Sequence, residues 1–157
     1  MPELREGDRA PAFGLPASTG GTMALSDFRG KQKLVLYFYP RDMTPGCTKE
    51  ACSFRDLQEE FAEAGAAIVG VSTDDLESHD KFAAKHELTF PLLADTDATV
   101  ARAYGVWKEK SMYGKKHMGI ERTTFVIDAQ GVIRKIYRKV KVDEHADAVL
   151  AAVRELG

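Results

Sequence analysis

The chain has 157 residues, 44% of them hydrophobic and 29% charged, a length that suits one globular domain over 1–157 with a core that needs no covalent staples. Its 22 basic and 24 acidic residues leave a formal net charge of -2, which argues against a general nucleic-acid binder. No stretch approaches the roughly 18 uninterrupted apolar residues of a membrane helix, and the polar start from Met1 to Asp8 has no apolar signal core, so a cytoplasmic protein is expected.

Ser18-Thr19-Gly20-Gly21-Thr22 reads as a turn between short strands. As a phosphate loop it lacks a following Lys-Ser/Thr and a strand-to-helix setting. Residues 34–39, Leu-Val-Leu-Tyr-Phe-Tyr, predict a central strand buried on both faces, ended by Pro40. A helix is predicted from about 45 to 64, with Thr44 as N-cap and Pro45 in its first position. Residues 67–72 predict a second buried strand. Residues 76–86 predict a helix capped by Asp74 or Asp75. A short strand over 90–93 contains Pro91, and a helix over 98–104 stops at Gly105. The stretch 108–119 is polar, basic and glycine-containing, and is expected to be a mobile loop. Two strands, 123–127 and 132–140, are joined through Asp128-Ala129-Gln130-Gly131 as a hairpin. Asp143 is expected to cap a last helix running to about 156.

Strands joined through helices imply parallel neighbours, and the hairpin adds antiparallel ones. The expectation is an α/β protein, with a mixed central β-sheet flanked by helices on both faces. The order of elements resembles a thioredoxin-like fold with an N-terminal extension.

The chemistry is concentrated in the segment 40–52, Pro-Arg-Asp-Met-Thr-Pro-Gly-Cys-Thr-Lys-Glu-Ala-Cys. With Thr44 as N-cap, Cys47 is the third helical residue. Free N–H groups and the helix dipole there favour an anion, and so a thiolate. A helix terminus alone is a weak support for that charge, so a nearby cation is expected. Cys52, the only other cysteine, lies five residues on. In an intact helix this separation rotates by about 140° and puts the two Cα atoms about 8.6 Å apart, beyond the ~7 Å reach of a disulfide. Cys47 shares a helical face with Ala51, Phe54 and Phe61, and Cys52 one with Asp56, Glu59 and Glu63. The two sulfurs can join only if the helix unwinds locally.

Pro40, Thr44 and Cys47 match the Pro-x-x-x-Thr-x-x-Cys motif of peroxiredoxins, and the second cysteine five positions on resembles the Q-type, bacterioferritin-comigratory-protein branch. The segments 7–13, 90–95 and 121–128 also resemble family segments, so the likeness spans nearly the whole chain. The resemblance implies a peroxidase of hydrogen peroxide and organic hydroperoxides that needs neither metal nor other cofactor. It implies that Cys47 is the peroxidatic cysteine and Cys52 the resolving one. Arg122 matches the arginine beside the thiolate, Thr44 the hydroxyl that contacts the peroxide, and Pro40 the residue that shields the pocket. By the same resemblance thioredoxin, or a similar dithiol protein, is the reductant. An intramolecular resolving pair needs no second subunit, so a monomer is expected.

Other readings stay beside this one. A thioredoxin-like thiol-disulfide oxidoreductase would show Cys-x-x-Cys rather than the wider spacing here. A non-enzymatic redox sensor would share the helix melting. His79, His86, His117 and His145 are scattered, with no His-x-x-x-His pair, and are expected at the surface and not on a metal. Asp95-Thr96-Asp97 lacks the glycine and terminal glutamate of a calcium loop and reads as a helix cap. Lys108, Lys110, Lys115, Lys116 and His117 read as a solvated basic loop, with a docking surface for an acidic partner as the alternative.

Overall fold

Gly20 and Gly21 take φ of 108° and 66°, a region open to glycine without strain. They close a small antiparallel hairpin between β1 (Gly14–Pro16) and β2 (Thr22–Ala24) in a computed structural model that describes residues 3–156. A short 3₁₀ turn, Leu25–Asp27, leads on to β3 (Lys33–Phe38). Residues 34–39 are all buried, as a strand without a polar face must be. Leu34, Leu36 and Phe38 enter one core, and Val35, Tyr37 and Tyr39 the other. This is the period-two alternation of a strand covered on both sides.

From the carboxyl end of β3 the chain turns into α1 (Pro45–Asp56) and α2 (Gln58–Glu63). The single helix expected over 45–64 is therefore two. Leu57 takes ψ of 5°, and its N–H donates to the carbonyls of Arg55 and Phe54. Leu57 is neither Gly nor Pro, so no breaker residue marks the joint. It packs instead: Phe54 and Phe61 flank the break, with ring centroids 5.8 Å apart in the core. Next come β4 (Ala66–Ser72), parallel to β3, and α3 (Leu76–His86), whose cap is Asp75 accepting from the Ser78 N–H at 2.9 Å. β5 (Leu92–Ala94) lies parallel to β4 and starts later than expected. Pro91 has no N–H to give a ladder, but its carbonyl accepts from Gly70. In α4 (Thr99–Ala103) the Asp95 carboxylate accepts from the N–H groups of Val100 and Ala101, the capping role expected of that segment.

The stretch expected to be a mobile loop is a hairpin of β6 (Trp107–Met112) and β7 (Lys115–Ile120). Its turn residues Tyr113 and Gly114 take φ of 53° and 77°, as a two-residue hairpin turn requires. A tyrosine in a position that usually carries Asn or Asp hid this turn. The largely exposed, charged strands hid the alternation. β8 (Thr123–Ile127) and β9 (Ile133–Tyr137) form the expected second hairpin. The main sheet has the order β5-β4-β3-β8-β9, mixed as expected. α5 (His145–Glu155) ends the fold, and its N-cap position is Glu144. Asp143 does not cap it, because its carboxylate pairs with Lys49 of α1.

α1, α2, α3 and α5 cover one face of the sheet, while α4, the β1–β2 hairpin and the 3₁₀ turn cover the other. Among the described residues no helix is long and apolar enough to cross a membrane.

Gly70 of β4 sits where neighbouring side chains leave no room for a Cβ. A Cβ there would lie 2.9 Å from the Tyr37 ring and 3.0 Å from a Leu92 methyl. Gly70→Ala is expected to cost about 1–3 kcal/mol of stability. The check is urea denaturation, with a lower midpoint at an unchanged m-value.

Candidate active site

Thr44 stands at the N-cap position of α1 with extended backbone (φ −81°, ψ 151°), and its carbonyl accepts the first helical bond from Thr48 at 2.9 Å. Pro45 follows in the first turn, where its missing N–H leaves no gap. The Thr44 hydroxyl does not cap the helix, contrary to the expectation for its side chain. It donates instead to the Arg41 carbonyl at 2.9 Å, closing the loop that leads into the helix. No side chain therefore caps this turn, and its N–H groups are left for an anion.

Cys47 sits in that turn and is 1% exposed. Arg122, one residue before β8, donates from Nη2 to the Cys47 sulfur at 3.3 Å and from Nη1 to Glu50 Oε1 at 2.6 Å. One planar guanidinium thus spans the sulfur and a carboxylate that lies three residues on along the same helical face. Gly46 leaves room for it: a Cβ there would lie 3.2 Å from Arg122 Nη2. The Arg122 backbone is clamped on both sides. Its carbonyl accepts from Val140 at 3.0 Å, and the preceding residue Glu121 donates to Val106 at 2.8 Å.

Glu50 is buried, with Oε2 unpartnered. Burial pushes its carboxyl up to about 7, against the opposing charge and hydrogen bond of Arg122. Burial acts to lower Arg122, but Glu50 and Cys47 more than reverse it, and the guanidinium keeps its charge. Lys110 of β6 lies over Gly119 of β7. Burial and the charge of Arg122 lower it, and Cys47 pulls the other way.

Pro40 is half-buried two residues past the end of β3, at the start of the same loop. Of the five residues singled out in the sequence, Cys47 and Arg122 are in direct contact, and Pro40 and Thr44 lie on the short loop leading to Cys47. Cys52 stands apart. Both cysteines are free, Cys47 buried and Cys52 half-buried, on one intact helix.

The sequence did not reveal Glu50, although a carboxylate on the buried face of α1 was the available signal. Two histidines expected at the surface are buried. His145 shares a hydrogen bond with Thr124 Oγ1 at 2.8 Å, and burial, aided by the charge of Arg122, pushes it down to about 4. His79 faces Asp42 at 2.7 Å. Both stand at helical spacing from core residues, Phe82 for His79 and Val149 for His145. Asp42, Asp74 and His79 also have one ligand-type atom each within 4.8 Å of one another. Those atoms are engaged among themselves and by Ser72 and Ser78, so a metal there would have to displace internal hydrogen bonds.

Residues 6–136 match the AhpC/TSA family. Peroxiredoxin Bcp of Bacillus subtilis is 51% identical to this chain, over 96% of it and 95% of the relative. Peroxiredoxin Bcp of Escherichia coli K12 is 45% identical over 99% of both. A structure of Xanthomonas campestris bacterioferritin comigratory protein, solved in connection with that protein's alkyl peroxide reduction activity, is similar at a TM-score of 0.87. It has 48% identity, over 92% of this chain and 91% of that one. A cysteine-to-serine variant of Xylella fastidiosa PrxQ gives a TM-score of 0.92 at 40% identity, over 99% of both.

Glu50 ionises at about 7 in the folded chain against an ordinary 4.5. Its charge therefore opposes folding increasingly as pH rises between those values. Relative to the unsubstituted protein, Glu50→Gln is expected to gain at most about 3 kcal/mol of stability from pH 5 to pH 8. Denaturation curves at the two pH values test this. A difference that is the same at both would show a carboxyl that ionises as easily folded as unfolded.

Proposed function

The chain belongs to the AhpC/TSA family, and on that premise we propose that it is a thiol peroxidase of hydrogen peroxide and organic hydroperoxides, working as one thioredoxin-like domain. The observation that carries the proposal is the Arg122 guanidinium 3.3 Å from the Cys47 sulfur, at the uncapped start of α1. A cationic donor meets one buried sulfur in a turn whose N–H groups no side chain caps, which is what a nucleophilic thiolate and a developing oxyanion both need.

The Cys47 thiolate attacks one oxygen of the hydroperoxide in line. An S–O bond forms, the O–O bond breaks, and the departing oxygen leaves as alcohol or water after taking a proton. Cys47 is left as a sulfenic acid. Arg122 stays charged throughout and holds two acceptors at once. The Thr44 hydroxyl and the N–H groups of Gly46 and Cys47 orient the peroxide, and Pro40 shields the sulfur from bulk water. The first turns of α1 then unwind and the Cys52 sulfur attacks the Cys47 sulfur. An intramolecular disulfide forms and water leaves. A dithiol protein such as thioredoxin restores both thiols by exchange. The cycle runs in the cytoplasm on a monomer. The alternative, a disulfide reductase, is disfavoured because the intact helix holds the two sulfurs on different faces.

Time-resolved intact mass after one equivalent of peroxide tests the scheme. The reduced protein should lose two hydrogens far faster than free cysteine oxidises. Cys47→Ser should abolish the reaction, and Cys52→Ser should trap one added oxygen on Cys47. Arg122→Gln should slow the first step about a hundredfold, the scale of losing one transition-state donor. A wild-type reaction no faster than that of free cysteine would exclude the peroxidase.

A further inference from the structure

Asp42 lies midway between Pro40 and Thr44 in the loop from β3 to α1, and is 4% exposed. Its Oδ1 accepts from the Tyr39 hydroxyl at 2.6 Å. Its Oδ2 accepts from the Ser78 hydroxyl at 2.8 Å and faces His79 Nδ1 at 2.7 Å. The other ring nitrogen, Nε2, faces the Leu93 carbonyl oxygen at 2.9 Å. A neutral imidazole has one N–H and one lone pair. Here a carboxylate and a backbone carbonyl, both acceptors, flank a ring that is 0% exposed. A neutral ring would set its lone pair against an oxygen with no water to intervene. Donation to both oxygens requires hydrogen on both nitrogens, the imidazolium form, with Asp42 placed to meet its charge.

The loop has two further features beside this anchor. The Asp42 N–H donates to Asp74 Oδ2 at 2.8 Å, which also accepts from the Ser72 hydroxyl at 2.6 Å. The next residue, Met43, is held at φ 67°, a strained conformation for a non-glycine residue. The titratable groups acting on His79 are Asp42 from the loop, Tyr39 from the end of β3, and Asp74 from the segment before α3. β5 contributes the Leu93 carbonyl, and α3 the neutral Ser78. Burial alone would lower His79, but Asp42, the Leu93 carbonyl and Asp74 together more than reverse it, and it titrates above its ordinary 6.5.

We infer that His79 is a positioning residue for peroxide reduction, a buried imidazolium that acts through Asp42 to hold the loop carrying Pro40 and Thr44 in its reactive geometry. The inference rests on the peroxidase reading. With a raised folded value, the ring supports the loop fully below about pH 6.5 and loses that support as pH rises through its own titration.

The experiment follows two readouts from about pH 6 to pH 9. One is ¹⁵N NMR of the histidine rings in the reduced protein. The other is the stopped-flow rate constant with hydrogen peroxide for wild type, His79→Gln and Asp42→Asn. Both His79 nitrogens should be protonated at pH 7. His79→Gln should react about tenfold more slowly than wild type at the acid end, an effect in the range of small misplacements. That ratio should fall toward one as His79 titrates. In Asp42→Asn the His79 titration should move to lower pH and the rate constant at the acid end should fall about tenfold, which tests the inference even where His79→Gln does not fold; an unchanged rate there overturns it. A neutral His79 at pH 7, or a rate ratio that does not change with pH, overturns the inference. A wild type that consumes no peroxide overturns the peroxidase reading and this one together. It is distinguishable because the ring spectrum is read independently of activity.

Discussion

One guanidinium shared between a sulfur and a carboxylate is the contact around which the rest of the structure is arranged. Burying an anion is costly unless a partner of opposite sign is buried with it. Cys47 and Glu50 are both about 1% exposed, and Arg122 is the cation that reaches both. The sulfur and the carboxylate share it. Burial pushes Glu50 up to about 7, so near neutrality part of the population holds this carboxyl uncharged. In that fraction the guanidinium charge is left for the sulfur. The balance between Glu50 and Cys47 is set by packing, because desolvation is the largest contribution to the shift at Glu50.

The fold brings these groups together from distant parts of the chain. Cys47 and Glu50 come from the helix that follows β3, and Arg122 from the residue before the antiparallel β8, which pairs with β3. Because Phe38 of β3 lies opposite Thr123 of β8, the register fixes Arg122 beside the carboxyl end of β3. A one-residue slip in that register would turn every side chain of β8 to the other face. The glycine at position 46 then allows the guanidinium to approach the helix start at 3.2 Å from where a Cβ would stand. Pairing register, a clamped backbone and one missing side chain together set the distance to the sulfur.

What the sequence disclosed was what is local. The apolar run over 34–39, the Thr-Pro helix start and the wheel positions of Cys47 and Cys52 depend on neighbours a few residues away, and these were legible. Features with distant partners were not. His79 meets Asp42 across 37 residues, and His145 meets Thr124 across 21, so charged neighbours in the chain made both look like surface residues. Asp143 was expected to cap α5 but pairs with Lys49 instead, 94 residues away. The β6–β7 hairpin was missed for another reason. Its strands show so much charge to solvent that period-two alternation disappears, and its turn carries Tyr-Gly. The Leu57 break was invisible because no glycine or proline marks it.

That break has a consequence for how damage would spread. A helix loses order cooperatively along its hydrogen-bond ladder, each turn leaning on the next. At Leu57 the ladder of α1 is interrupted, and α2 begins afresh with its own bond from the Phe61 N–H to the Leu57 carbonyl at 3.0 Å. A loosening that began at Cys47 would meet this joint as a crack meets a drilled hole. Beyond the joint, Phe61 packs in the core with the sheet residues behind it. The segment bearing both cysteines thus ends at an interruption of the helical ladder, beyond which Phe61 packs in the core from a helix with bonds of its own.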